Sequence, residues 1–527
     1  MRTPSLDASG GFIMRLVLPA VIGLLALASL RPLTRSVYMP MVDYPQHAYQ
    51  VLMWYEADHD PAIGQHYRVE LVSAYAATYL LWRCVMELGF PVEDAGRIVI
   101  GLGVIGLPLS FLLLLKARGR PPELTLLAFP VVYHHTLAYG FMAFYVSTMV
   151  FFLALAAYAA WIARPTRLRG WLAFASGLLV LFGHALAAGL YGLSAGLLAA
   201  FEPRLDPRRR ALLLAPLVPI GLLLAAWTLS GRSILTMHGL NNFGQGFVGR
   251  MGAIPLYLCG GFTPTAQKAA TPVIGLAALA GLLGLVGSIA APAMPADHQV
   301  NAWRRTLAAH DPGLFAAGLA ALVLYFAVPF DLANVSWVHG RFIVFAFLLL
   351  AASFARVPWR AARAGIGVVA AVIALSTFTE LSRGFAMFAE DYGDARTVFS
   401  SLPRGATVCQ PAGLSPNVAD FFWSINIHLG LNVALHTRGY TSSWVGMPHL
   451  ILRFRGDEQR LVPDCQLAAS ADHRTLMIRP TTEALADYLI LHSLRLLPST
   501  MPVVGRPATY RLARRTGNLW LYSRAGG

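Results

Sequence analysis

The sequence predicts a mainly α fold: a polytopic membrane helix bundle of about 11 spans, followed by a small C-terminal extracytoplasmic α/β domain. Three observations predict it. Of the 527 residues, 56% are hydrophobic and only 13% are charged, whereas a soluble domain carries about a quarter charged residues. Apolar stretches recur along the first 380 residues, many near the roughly 20 residues that a bilayer core demands. Knots of arginine follow alternate stretches, as expected of loops that stay in the cytoplasm. The net charge of +15, from 41 basic and 26 acidic residues, is explained by the same arginines against anionic headgroups. Nucleic acid is therefore not expected as a partner.

In chain order, spans are expected near 12–32, 97–115, 124–138, 142–163, 171–184, 186–201, 211–230, 272–291, 313–329, 341–355 and 364–380. The first could be read as a signal peptide, since Arg15 precedes an apolar run and Ala26-Leu27-Ala28 resembles a cleavage site. Retention is favoured, because the alternation of charge holds only if this helix stays. The run 171–201 is too long for one ordinary helix and is read as a hairpin hinged at His184. Lys116, Arg118 and Arg120 follow span two, and Arg164, Arg167 and Arg169 follow span four. Arg204, Arg208, Arg209 and Arg210 follow span six, Arg304 and Arg305 precede span nine, and Arg356, Arg360 and Arg363 follow span ten. The turns around Thr136–Phe141 and His184 hold no Lys or Arg. The N-terminus is thus placed in the cytoplasm and the tail outside. Segment 68–90 is apolar but interrupted by Glu70, Arg83 and Glu87. Counting it as a span would invert every later loop, so it is read as a helix lying on the outer surface.

This reading divides the chain into a membrane domain, 1–380, whose first outer loop is 33–96, and an outer domain, 381–527. In the outer domain Arg474–Ile478, Tyr488–His492 and Trp520–Ser523 alternate like strands, and Asn417–Leu429 reads as a helix. Cys409 and Cys465 form a disulfide or remain two buried thiols; an oxidising exterior permits the first. No P-loop or HExxH element is present.

Polar side chains gather at the outer ends of the spans; at membrane depth a charge costs about 2.5–3.5 kcal/mol on insertion scales, so such residues are usually paired or functional. Asp43 heads them, in Asp43-Tyr44-Pro45-Gln46-His47. Its carboxylate either accepts a proton from an attacking hydroxyl or caps the helix that Pro45 begins. His47 either bonds Asp43 or a phosphate, or sits at the interface with no special role. His134 and His135, beside Tyr133, lack the clustered acids or cysteines that a metal would need, so no metal and no cofactor is expected. His184 is a hydrogen-bonding hinge residue or part of the site. Arg250, Lys268 and Arg341 anchor to headgroups or pair with a phosphate. His238, Asn241, Asn242, Asp331 and His339 complete the outer set.

These features together resemble the integral membrane type-C (GT-C) glycosyltransferases, in an uncharacterised bacterial branch. Asp43 matches the acid of that superfamily's first outer loop, and 46–58 and 68–90 match its surface helices. Tyr139-Gly140-Phe141-Met142-Ala143-Phe144 and Leu181-Phe182-Gly183-His184 resemble stretches of bacterial members. The resemblance covers the whole chain in layout but only short motifs in sequence. It implies a hexosyl or pentosyl transfer from a polyprenyl-phosphate sugar donor to an unknown acceptor, on the outer face of a bacterial cytoplasmic membrane. Asp43 would be the general base. Substrate would be bound by Tyr44, Gln46, His47, His134, His135, His184, Arg250, His339 and Arg341, with membrane lipids as the surroundings. Many members carry a second acid between spans three and four; here that turn offers only Tyr133, His134 and His135. Two other readings stay open, a transporter or flippase for a lipid-linked substrate and a catalytically degenerate scaffold.

Overall fold

A computed structural model describes residues 7–71, 73–202, 206–229, 244–290, 310–331, 336–354, 357–411, 426, 428–439, 441, 452–454, 465–469, 476–480, 482, 485–493 and 496–525. The helices run α1 Asp7–Ser29, α2 Tyr44–His59, α3 Pro61–Gly64, α4 Ala76–Glu87, α5 Val92–Ala117, α6 His135–Ala138 and α7 Met142–Ala163. Next come α8 Arg167–Gly183, α9 Ala185–Ala200, α10 Pro207–Leu213, α11 Leu217–Trp227, α12 Phe247–Pro255, α13 Pro264–Lys268 and α14 Ala270–Ala290. The series ends with α15 Pro312–Ala327, α16 Ile343–Ser353, α17 Arg360–Tyr392, α18 Ala395–Ser400 and α19 Leu429–Thr437.

Five helical segments are long and apolar enough to cross a bilayer: Val17–Thr34, Val92–Ala117, Met142–Ala163, Pro264–Ile289 and Arg360–Tyr392. Four shorter apolar helices accompany them, Ala185–Ala200, Leu217–Trp227, Pro312–Ala327 and His339–Ser353. The protein is a multi-pass membrane protein, but the expected count of eleven full spans is not reached among the described residues. The clearest departure is the expected span 124–138, which is a 3-10 helix, Pro122–Val131, followed by the single turn α6. Pro122 begins that stretch and Pro130 interrupts it, and a proline ring removes one helical N–H and crowds the preceding turn. The hairpin at His184 is present: α8 and α9 meet there, with His184 in extended backbone, φ −166° and ψ 127°.

α5 and α7 form the centre of the bundle. The close approach is possible because Gly103 lies where a side chain would collide with the Tyr145 ring, the use of small residues common between membrane helices. Phe111, Phe151, Phe152 and Phe345 stack nearby, with centroids 4.6–6.0 Å apart. α5 carries Glu93 and Asp94 in its first turn and Lys116 in its last, each complementing the helix dipole.

The two ends of the bundle differ. At one end Arg118 joins Asp311 at 2.6 Å and Glu202 at 3.3 Å, and Arg363 lies 3.4 Å from Glu123. Three of the arginine-bearing loops thus share one side. At the other end, α2 and α4 lie over the bundle, and Arg83 of α4 spans Glu87 and Asp58 while covering the Trp54 ring.

The C-terminal region is α/β, as expected. α17 continues past residue 380 to Tyr392. Its Asp391 meets His492 and Asn518, each at 2.5 Å, which docks the helix end on the sheet. That sheet has five strands in the order β2 (Val408–Cys409), β6 (Tyr488–His492), β9 (Leu519–Ala525), β8 (Thr509–Thr516), β7 (Thr500–Pro502). β2 and β6 are parallel and the other pairs antiparallel. β4 (Cys465–Ala469) pairs with β5 (Leu476–Pro480), and a Cys409–Cys465 disulfide links β2 to β4. The expected helix 417–429 falls mainly outside the described residues. The segment between α1 and α5 and this region are stitched together: β1 (Tyr67–Val69) pairs with β3 (Leu452–Phe454), and Glu56 bonds Arg404 and Arg438.

Candidate functional site

Asp43 sits where the loop after α1 turns into α2. Its N–H donates to the Tyr139 carbonyl at 2.9 Å, and Val42 N–H donates to Ala138 at 3.3 Å. The 139–141 turn can come this close because Gly140 has φ +83°, and any Cβ there would stand 2.7 Å from the Asp43 nitrogen. The Asp43 carbonyl accepts the N–H groups of Gln46 and His47. Its carboxylate makes no capping bond, so the helix start does not consume it. The side chain is 22% exposed, and Oδ1 lies 3.3 Å from His428 Nε2.

His47, one turn on, is half-buried. Its Nδ1 is 2.5 Å from the Tyr79 hydroxyl. Burial pushes its pKa down to about 4, against an upward pull from Asp43. The imidazole is therefore neutral near pH 7 and offers a hydrogen bond rather than a charge.

Arg341 comes from the 3-10 turn His339–Phe342 that opens α16. It is 4% exposed. Its guanidinium lies over the Phe141 ring at 4.0 Å and near Phe144 at 5.6 Å. Its Nη1 is 3.4 Å from His184 Nε2 and its Nη2 is 3.5 Å from the Ser336 carbonyl. Its Nε is buried without a hydrogen-bond partner, and no carboxylate is paired with it among the described residues. His184 Nδ1 accepts the Leu186 N–H at 3.1 Å, so in neutral His184 the hydrogen is on Nε2. Arg341 and His184 then present two N–H donors side by side, an arrangement that suits an oxyanion. The Asp43 charge reaches Arg341, Tyr139, Tyr79 and His47. Acid and cation share one region without forming an ion pair.

Aromatic rings wall this region. Tyr139 packs on Phe141 at 4.7 Å and on Trp337 at 5.7 Å. Tyr75 and Phe144 meet the His184 ring edge-on at 4.8 and 4.9 Å. Trp337 holds φ +62°, a costly conformation for a bulky residue.

The other expected residues divide. His135 Nδ1 is 3.3 Å from the Tyr257 carbonyl, and His339 packs against Tyr257 and Tyr325 at 5.1 and 5.4 Å. His135 Nε2 and His339 Nδ1 are buried without partners. His134 bonds Thr136 Oγ1 at 2.9 Å and belongs to the core beside Tyr145. Tyr44 points away from the carboxylate: its hydroxyl donates to the Glu93 carbonyl at 3.3 Å and its ring packs on Trp82. Gln46 is buried, and its carbonyl accepts from Gln50. Arg250 is engaged elsewhere. Its Nη1 donates to the carbonyls of Tyr325, Phe326 and Val328 at 2.8–3.0 Å, closing the C-terminal end of α15. Lys268 is exposed, and His238, Asn241 and Asn242 lie outside the described residues. No group of three or more metal-ligating side chains occurs among the described residues. Tyr75, Tyr79, Trp337 and His428 join the site without having been expected. Only tertiary contact brings them in; His428 lies 385 positions from Asp43 and no local pattern marks it.

The chain matches no protein-family model and no curated protein. Among solved structures it is similar to the arabinofuranosyltransferase AftD from Mycobacteria, at 15% identity and a TM-score of 0.45. The similarity covers 77% of this chain but 30% of that one, so the chain spans under a third of that protein's length.

Proposed function

We propose that this protein is a membrane glycosyltransferase that moves a sugar from a polyprenyl-phosphate donor to an acceptor hydroxyl. Asp43 acts as general base. The acceptor oxygen attacks the anomeric carbon, the bond from that carbon to the phosphate oxygen breaks, and the acceptor proton passes to Asp43. Arg341, with His184 beside it, takes the negative charge that gathers on the departing phosphate. His47 and Tyr79 hold the floor beside the base, and the rings of Tyr139, Phe141 and Trp337 offer faces on which a sugar packs. The outer face of a cytoplasmic membrane is the proposed location. The Cys409–Cys465 disulfide supports it, since disulfides persist in oxidising compartments.

One observation carries this reading: a carboxylate left free by its own helix lies in the field of a buried arginine that has no carboxylate of its own among the described residues. The test is transfer in proteoliposomes supplied with polyprenyl-phosphate sugars and membrane acceptors. Asp43→Asn should lower kcat by about 10²–10⁴-fold, the usual contribution of a general base, while donor binding persists. A variant as fast as wild type overturns the assignment.

A further inference from the structure

At the opposite end of the bundle, far from Asp43, a groove of about 340 Å³ opens between the start of α8 and the start of α11. Its walls are Trp161, Arg167, Trp171, Phe174, Pro216 and Pro219. Trp171 is 67% exposed and meets Phe174 edge-on at 5.8 Å. Trp161 has a buried Nε1 without an acceptor. The turn 164–169 holds three arginines and no acid. Arg169 is spent on the Ala160 carbonyl at 3.1 Å, whereas Arg164 and Arg167 are exposed and have no carboxylate partner among the described residues.

We propose that this groove binds an anionic phospholipid of the surrounding leaflet, its phosphate at Arg167 and one acyl chain along Trp171, Phe174 and the prolines. Aromatic residues favour the headgroup level of a membrane. A cation held there attracts anionic lipid by about 1 kcal/mol. A groove serving only to pack helices would bury its tryptophan and pair its arginine; this one exposes the ring and leaves the guanidinium open. Charge complementarity thus selects a phosphatidylglycerol-like headgroup over a zwitterionic one. The inference is independent of the transferase reading, because the groove shares no residue with the Asp43 site.

Native mass spectrometry of the full chain, released from detergent after adding phosphatidylglycerol or phosphatidylcholine of equal chain length, tests it. Phosphatidylglycerol should be retained in preference. Arg167→Gln should reduce its retention about fivefold, the equivalent of one such cation, and Trp161→Phe, which keeps an aromatic ring but removes the N–H, should reduce it as well. Lys116→Gln, an exposed cation on the last turn of α5, should change nothing. Equal retention of the two lipids, or full retention by Arg167→Gln, overturns the proposal. Competition by inorganic phosphate would assign the groove to a soluble anion and overturn it equally. Arg167 is exposed, so its variant is expected to fold, and an unchanged melting temperature checks this.

Discussion

Arg341 is buried on phenyl rings, and among the described residues one of its nitrogens is unpartnered and no carboxylate lies against it. A cation so placed opposes folding, and its presence is explained if an anion arrives later. Replacing it with a methionine of similar reach should leave the melting temperature in detergent unchanged or raise it, while donor binding collapses. A melting temperature that falls together with activity would make Arg341 a folding residue instead. His47 gives a second test. Folded His47 binds its proton only near pH 4, whereas an unperturbed imidazole does so near 6.5. Between those values the unfolded chain binds more protons, so stability rises with pH there and drains away as pH falls. Its full size is on the order of 3 kcal/mol. Thermal unfolding from pH 8 to pH 4 should therefore show a steeper loss in wild type than in His47→Gln. Asp43 and Arg341 were legible in the sequence because charges at span ends stand out. His428 and Tyr79 were not, because no spacing announces a contact made through folding.

At the scale of elements, the site depends on a turn that reads as unremarkable in sequence. Gly140 permits the approach of residues 139–141 to the backbone of Asp43, and alanine there would both adopt an unfavourable φ and strike the Asp43 and Tyr44 nitrogens. Gly140→Ala should lower stability by about 1–3 kcal/mol and reduce transfer even though no polar group is lost; intact transfer would show that Asp43 need not be held by this turn. Helices with an uninterrupted apolar run, such as α5 and α7, were readable from hydropathy. The stretch 122–138 was not, because a window of average hydropathy is blind to what Pro122 and Pro130 do to backbone hydrogen bonding. Arg250 shows a similar limit. Its charge near the outer end suggested a ligand, but its donors go to the carbonyls that end α15.

For the whole molecule, the arginine pattern separated the two ends correctly in one respect: the loops of Arg118, Glu202 and Asp311 meet on one side, away from Asp43. Which end faces the cytoplasm is open to a direct measurement. Cys84 is exposed on α4, Cys259 is buried, and the other two cysteines are joined. A membrane-impermeant maleimide should label Cys84 in intact cells without permeabilisation. Labelling only after permeabilisation would put Asp43 on the inner face and remove the proposed donor geometry. The pairing of Tyr67–Val69 with Leu452–Phe454 has a temporal meaning. The ribosome must add more than 380 further residues after the first strand before the second exists, roughly 20–80 seconds at ordinary elongation rates. Throughout that interval the lip around Asp43 stands unfinished, so a nascent or prematurely stopped polypeptide carries the acid but not its enclosure.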